Sequence, residues 1–183
     1  MVFCDANVLY GSMLRNLLMW LGVQRTLSLR WSDQVQLEWT RNLLEHRPTL
    51  SAEALQKTCE QMNQAIPEAL VEGWDENQTF DLPDPDDQHV LAAALAAEAA
   101  VLLTFNLSDF PKAAVPDGLV VVDPDTYLTV CLEVQPIRVR QALTKLRSHL
   151  KNPPLSRDEV LLRFEKAGLW QFASSLRRMD VGF

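Results

Sequence analysis

The chain has 183 residues, enough for one domain of ordinary size with an appendage and too few for two large domains. Hydrophobic residues make up 48%, as expected of a globular chain with a core, and no apolar run reaches the ~18 residues of a membrane-spanning helix. The net charge of −7 is unevenly spread: residues 1–130 hold seven Lys and Arg against nineteen Asp and Glu, whereas residues 131–183 hold ten against five. An acidic body and a basic tail are suited to different partners, or to each other.

"MVFC" is a short apolar run, read as a buried strand that ends at Asp5. The Leu- and Met-rich segment from Val8 to Val23 lacks the basic leader of a signal peptide and is interrupted by Arg15. Leu9, Met13, Leu17 and Leu21 recur every four residues, so it is expected to be one buried helix. "TLSLRW" reads as a short strand. Ser32 is placed to cap a helix running to about His46, and Ser51 a second one to about Ala65; Pro67 starts a shorter one.

Pro83 and Pro85 then break the chain, and Asp87 stands at the N-cap of a helix reaching about Ala100. "AVLLT" and "LVVVD" read as strands, and "PDTYLTVCLEV" as a helix begun by Pro124. Strands alternating with helices predict a parallel sheet covered on both faces. After Pro136 come a basic amphipathic helix, a capping box from Ser156 to Glu159 opening another, and a third after Gly168. The expected organisation is an α/β domain over residues 1–133 and an all-helical appendage over 134–183. Cys4, Cys59 and Cys131 are odd in number and irregular in spacing, which fits neither a disulfide framework nor a zinc site; a reducing, cytoplasmic compartment is the expectation.

In parallel sheets reactive groups collect at the carboxyl ends of the strands. Asp5 ends the first predicted strand, and Thr104, Asn106 and Asp109 follow another. Asp87 opens the helix leading into that strand, and Glu38 lies mid-helix among apolar neighbours. Taken singly, Asp87 reads equally as a helix cap, Asp5 and Asp109 as turn residues, and Glu38 as a surface residue. Taken together they form a set of carboxylates, which stay ionised side by side only when cations neutralise them. Oxygen ligands without His or Cys suit Mg²⁺ or Mn²⁺. No phosphate-binding Gly-Lys loop and no dinucleotide glycine fingerprint is present.

"CDANVL", Glu38 within "SDQVQLEWTRNLL", "DPDDQHVLAAAL" and "LLTFNLSDF" resemble the four motifs of PIN-domain ribonucleases, in particular VapC-type toxins of toxin–antitoxin pairs. The likeness covers about residues 1–130, and the tail with "NPPLSRDEVLLRFEKAGL" is similar to an extension carried by one VapC subgroup. The resemblance implies a PIN-like fold and a Mg²⁺- or Mn²⁺-dependent endoribonuclease. By resemblance, Asp5, Glu38, Asp87 and Asp109 match the metal-binding and catalytic acids. Asn7, Thr104 and Asn106 match supporting polar positions. Asn106 stands where many relatives have Asp, which leaves one ion or two open. Asp84, held by a Pro-stiffened turn, is a further supporting acid, and Arg15 and Arg41 are candidate RNA contacts. A cognate antitoxin, an RNA substrate and a homodimer are implied partners, and no membrane is. Two other readings stay open at this point: a metal-dependent phosphohydrolase of small substrates, and a catalytically silent module that binds RNA or protein.

Overall fold

The computed structural model describes residues 1–179 and 182–183. The chain forms two compact units, one from Met1–Tyr10 and Ser28–Asp123, the other from Gly11–Leu27 and Pro124–Phe183. The sequence boundary at 133/134 differs from this division. The helix opening at Pro124 packs with helices that follow it, and residues 11–27 contribute a helix to the same unit.

The first unit is a five-stranded parallel sheet in the order β3-β2-β1-β4-β5. Its strands are β1 (Val2–Cys4), β2 (Leu29–Ser32), β3 (Leu70–Val71), β4 (Val101–Leu103) and β5 (Val120–Val122). β1 pairs on one side with β2, Val2 opposite Leu29, and on the other with β4, Val2 opposite Val101. The central strands are apolar at nearly every position, as strands covered on both faces must be. Phe3, Cys4, Leu29, Trp31, Leu102 and Leu103 are fully buried.

Around the strands of this unit run α1 (Ala6–Tyr10), α3 (Asp33–His46), α4 (Ala52–Ala65) and α5 (Gln88–Ala96). Ser32 accepts from Val35 N at 3.2 Å and Ser51 from Ala54 N at 3.2 Å, so the two expected caps form. A half-buried clasp ties α3 to α4 and β2: Asn63 Oδ1 accepts from Trp31 Nε1 at 2.8 Å and from Gln36 Nε2 at 3.0 Å. The expected helix at Pro67 is a single 3-10 turn, Pro67–Ala69, that leads into β3.

The second unit comprises α2 (Ser12–Val23), α6 (Pro124–Val134), α7 (Pro136–His149), α8 (Arg157–Lys166) and α9 (Trp170–Arg178). The helix expected from Val8 to Val23 is thus broken. Gly11, at φ −76° and ψ 116°, takes extended backbone between α1 and α2. α2 packs on α7, and α9 on both α6 and α8. Leu14, Leu17, Leu18 and Leu21 of α2 and Val139, Leu143 and Leu146 of α7 are buried, each set at the three- and four-residue spacing of one helical face. Phe164 and Phe172 meet edge to face at 5.6 Å.

α8 starts with the expected capping box, Glu159 Oε2 accepting from Ser156 N at 2.7 Å. α9 is capped from a distance. Its own N-cap residue, Leu169, offers no side-chain acceptor, and the buried carboxylate of Asp125 on α6 accepts from Gln171 N and Phe172 N, both at 2.8 Å. No described helix is long and apolar enough to cross a membrane.

Candidate functional site

The strand order reverses direction between β1 and β4: β2 and β3 lie on one side of β1, β4 and β5 on the other. Parallel sheets open a crevice at such a point, beyond the carboxyl ends of the two strands. Asp5 follows β1 and Thr104 follows β4, and Asp5 N donates to Leu103 O at 3.0 Å, so both residues stand at that crevice.

A hydrogen-bond network fixes the Asp5 carboxylate. Its Oδ1 accepts from Ala6 N at 2.5 Å, and its Oδ2 accepts from Asn7 Nδ2 at 2.6 Å and from the Thr104 hydroxyl at 2.6 Å. The Thr104 oxygen accepts in turn from Asn7 Nδ2 at 2.9 Å and from Asn106 N at 3.0 Å. One donor and two acceptor sites are all that a hydroxyl has, and Thr104 uses every one. Asn7 Oδ1 accepts from Phe105 N at 3.0 Å and so pins the turn after β4. Asp5 is 3% exposed. Burial pushes its carboxyl up to about 6 against the lowering effect of Thr104, and nearby Glu38 pushes the same way.

Asp87 holds the N-cap position of α5, yet its side chain makes no hydrogen bond to the helix end. Its Oδ2 is buried and has no hydrogen-bond partner. Burial, followed by the charges of Asp5, Asp109, Asp84 and Glu38, raises its carboxyl to about 7. The capping explanation for this residue therefore fails: the carboxylate faces other carboxylates. The loop that precedes it is held by Gln88, whose side chain both accepts from Phe80 N at 2.6 Å and donates to Phe80 O at 2.9 Å.

Glu38 projects from α3, and its Oε2 lies 3.2 Å from His89 Nε2 on α5. His89 Nδ1 is buried and unpartnered, and Trp74 lies beside the ring at 6.3 Å. The sequence reading missed His89. A lone His two residues after an acid carries no signal until α3 and α5 are brought face to face.

Two cavities open among these residues. One, of about 290 Å³, is lined by Asp5, Asn7, Glu38, Asp87 and Asn106, together with Tyr10, Asn42 and His46. The other, of about 1000 Å³, shares Glu38, Asp87 and Asn106 and adds Asp84, Arg41 and His89. Asp109 lines neither, and its Oδ1 accepts from Ser108 at 3.2 Å; it acts on the site through its charge on Asp87. Asp84 Oδ1 accepts from Asp86 N at 2.9 Å, closing the Pro-containing turn before α5. Arg41 is exposed at the rim, whereas Arg15 is buried in α2 and lines neither cavity.

Among the described residues no three His, Cys, Asp or Glu side chains converge closely enough to enclose a metal ion unaided. The donor set still fits Mg²⁺ or Mn²⁺. These ions keep several waters and take one or two carboxylates plus substrate oxygens, so an open site with hard oxygen donors and an orphaned Asp87 oxygen suits them.

The family model for the PIN domain matches residues 1–108, and the model for the VapC50 C-terminal domain matches residues 124–178. No curated protein and no solved structure matches the chain.

Proposed function

Because the chain belongs to the PIN-domain family and carries a VapC50-type C-terminal domain, we propose that it is a divalent-metal-dependent endoribonuclease toxin restrained by a cognate antitoxin. The observation that carries this reading is the buried, unpartnered Oδ2 of Asp87, set among the charges of Asp5, Glu38, Asp84 and Asp109. Such a group is costly without a cation and serves no hydrogen bond of the fold.

Asp5, Glu38 and Asp87 would hold the ion, with Asp109 adding negative potential from the side. When bound, Mg²⁺ or Mn²⁺ supplies Lewis acidity and neutralises charge on the phosphoryl group. The protein's own contribution is positional. Thr104 and Asn7 fix the Asp5 oxygens, and the hydrogen bonds leave that carboxylate one orientation. His89 fixes Glu38 in the same manner. Arg41 at the rim is placed to hold a backbone phosphate, which the acids repel. Water attacks phosphorus, the P–O bond to the leaving strand breaks, and the leaving oxygen takes a proton. Single-stranded RNA suits the open cavities because its backbone is accessible.

The test is incubation of the purified chain with cellular RNA with and without Mn²⁺, and mapping of the new ends. Discrete metal-dependent cuts that vanish in Asp87→Asn are expected. Hydrolysis of small phosphoesters without RNA cleavage would overturn the reading, as would RNA cleavage by Asp87→Asn at the wild-type rate.

A further inference from the structure

Charge divides along the two units. The sheet unit holds five Lys and Arg against eighteen Asp and Glu, and the helical unit twelve against six. A catalytic unit at −13 repels a polyanion, so the attraction that holds RNA must come from cations elsewhere.

The helical unit has a cavity of about 930 Å³ whose lining includes Arg25, Arg138, Arg140 and Lys145. No acid is among the described residues that line it; the rest are Gln and Thr side chains and one glycine. Three further observations single it out. Thr26 in its wall is 9% exposed and its buried hydroxyl has no hydrogen-bond partner, and Gln24 Oε1 is likewise buried and unpartnered. Arg138 and Arg140 stand at the third and fifth positions of α7, the end of a helix where cations are unfavourable and anions favoured. The α7 N-cap, Gln135, makes no side-chain hydrogen bond to the helix, so no acceptor of its own neutralises that end. Arg138 Nη1 donates to Arg25 O at 3.3 Å, which ties the loop after α2 to α7 across the cavity. Cations gathered at the wrong end of a helix, over a buried hydroxyl without a partner, lower stability unless an anion occupies the site.

We propose that this cavity binds backbone phosphate of the RNA substrate and anchors the strand from the helical unit. The inference rests on the ribonuclease reading above. Phosphate suits the lining better than an acidic peptide does. Arg, Lys, Thr and Gln are the side chains that contact nucleic-acid phosphates, whereas a docked peptide helix needs apolar anchor pockets, and no apolar side chain is among the described residues that line this cavity.

The experiment is equilibrium binding of the full chain to a labelled single-stranded RNA oligonucleotide across a range of salt, in EDTA so that nothing is cut. Arg138→Ala/Arg140→Ala should bind at least about tenfold more weakly at low salt, and its log–log salt slope should fall by roughly 1.4, since each lost single-strand phosphate contact removes about 0.7. Arg163→Ala/Lys166→Ala, two cations of the same unit outside the cavity, should change the slope far less. Thr26→Val should weaken binding without changing the slope, because the lost group is neutral. Arg140→Ala alone, which leaves the Arg138 tie to Arg25 O in place, should melt no lower than wild type, since a cation leaves the helix start. Arg25→Gln, on the loop, repeats the test without altering α7.

Unchanged affinity and slope in the Arg variants would overturn the proposal. So would an equal loss in the Arg163/Lys166 control, which would mean undirected charge, or a loss confined to polyglutamate binding, which would mean a protein partner. Failure of the ribonuclease reading shows separately, as a wild-type chain that binds RNA and leaves it intact with Mn²⁺.

Discussion

Asp5 and Asp87 look alike in the sequence and are opposites in the fold. Asp5 accepts three hydrogen bonds, and Oδ2 of Asp87 accepts none. Asp5→Asn therefore sets an amide donor against donors and should destabilise the chain by roughly 1–3 kcal/mol. Asp87→Asn removes a repelled charge and should stabilise the metal-free chain. Both acids titrate higher in the folded state, at about 6 and about 7 against an ordinary 3.8. The folded chain thus holds their protons more tightly than the unfolded chain does. Their contribution to stability is greatest below pH 3.8 and is lost as pH rises through 6 and 7. In EDTA at pH 8, Asp87→Asn should gain roughly 1–2 kcal/mol, a figure already reduced for solvent screening, and at pH 4 almost nothing. Urea melts of the variant and wild type at both pH values check this. Equal stability at pH 8 would show that Asp87 bears no repulsion, and added Mn²⁺ should erase the variant's advantage.

At the scale of elements, Asp125 has the most to lose. It satisfies two N–H groups at the start of α9 from another helix, and Asp125→Ala leaves both without that partner, the Phe172 N–H in a buried setting. A loss of about 3 kcal/mol is expected, with Asp125→Asn costing less, by thermal or urea denaturation. A near-neutral alanine variant would show that water replaces the carboxylate. Such a cap was illegible in the sequence because donor and acceptor are 46 residues apart. Local signals were legible: Ser32, Ser51 and the Ser156–Glu159 box cap the helices they were expected to cap. The four-residue leucine spacing misled at Gly11, since it runs unbroken across a point where the backbone turns out of the helix. β3 was missed because two residues carry no periodicity. Within the site, the sequence singled out the acids, but that Asp87 is uncapped and Glu38 meets His89 depends on contacts between separate elements.

At the scale of the whole chain, the helical unit is assembled from two stretches far apart in sequence, and α2 finds its partner α7 within that unit. A chain cut after Asp123 keeps α2 and loses α7. Its buried row of Leu14, Leu17, Leu18 and Leu21 would face water, with each fully exposed Leu side chain costing roughly 1.5–3 kcal/mol. That truncated chain should aggregate in light scattering, although its sheet is intact. A monodisperse truncated chain would show that α2 needs no partner from beyond Asp123.

The same arrangement sets a timetable for the nascent chain. α2 ends at Val23 and leaves the ribosome well before α7, which ends at His149. At ~5–20 residues per second the wait between them is roughly 6–25 s. Throughout that interval the leucine face of α2 is a sticky surface available to chaperones. Arg25 has emerged during the wait, but Arg138 and Arg140 have not, so the cationic cavity cannot exist until α7 has followed. A ribosome making this protein thus completes the whole acidic sheet unit before the cationic cavity can form.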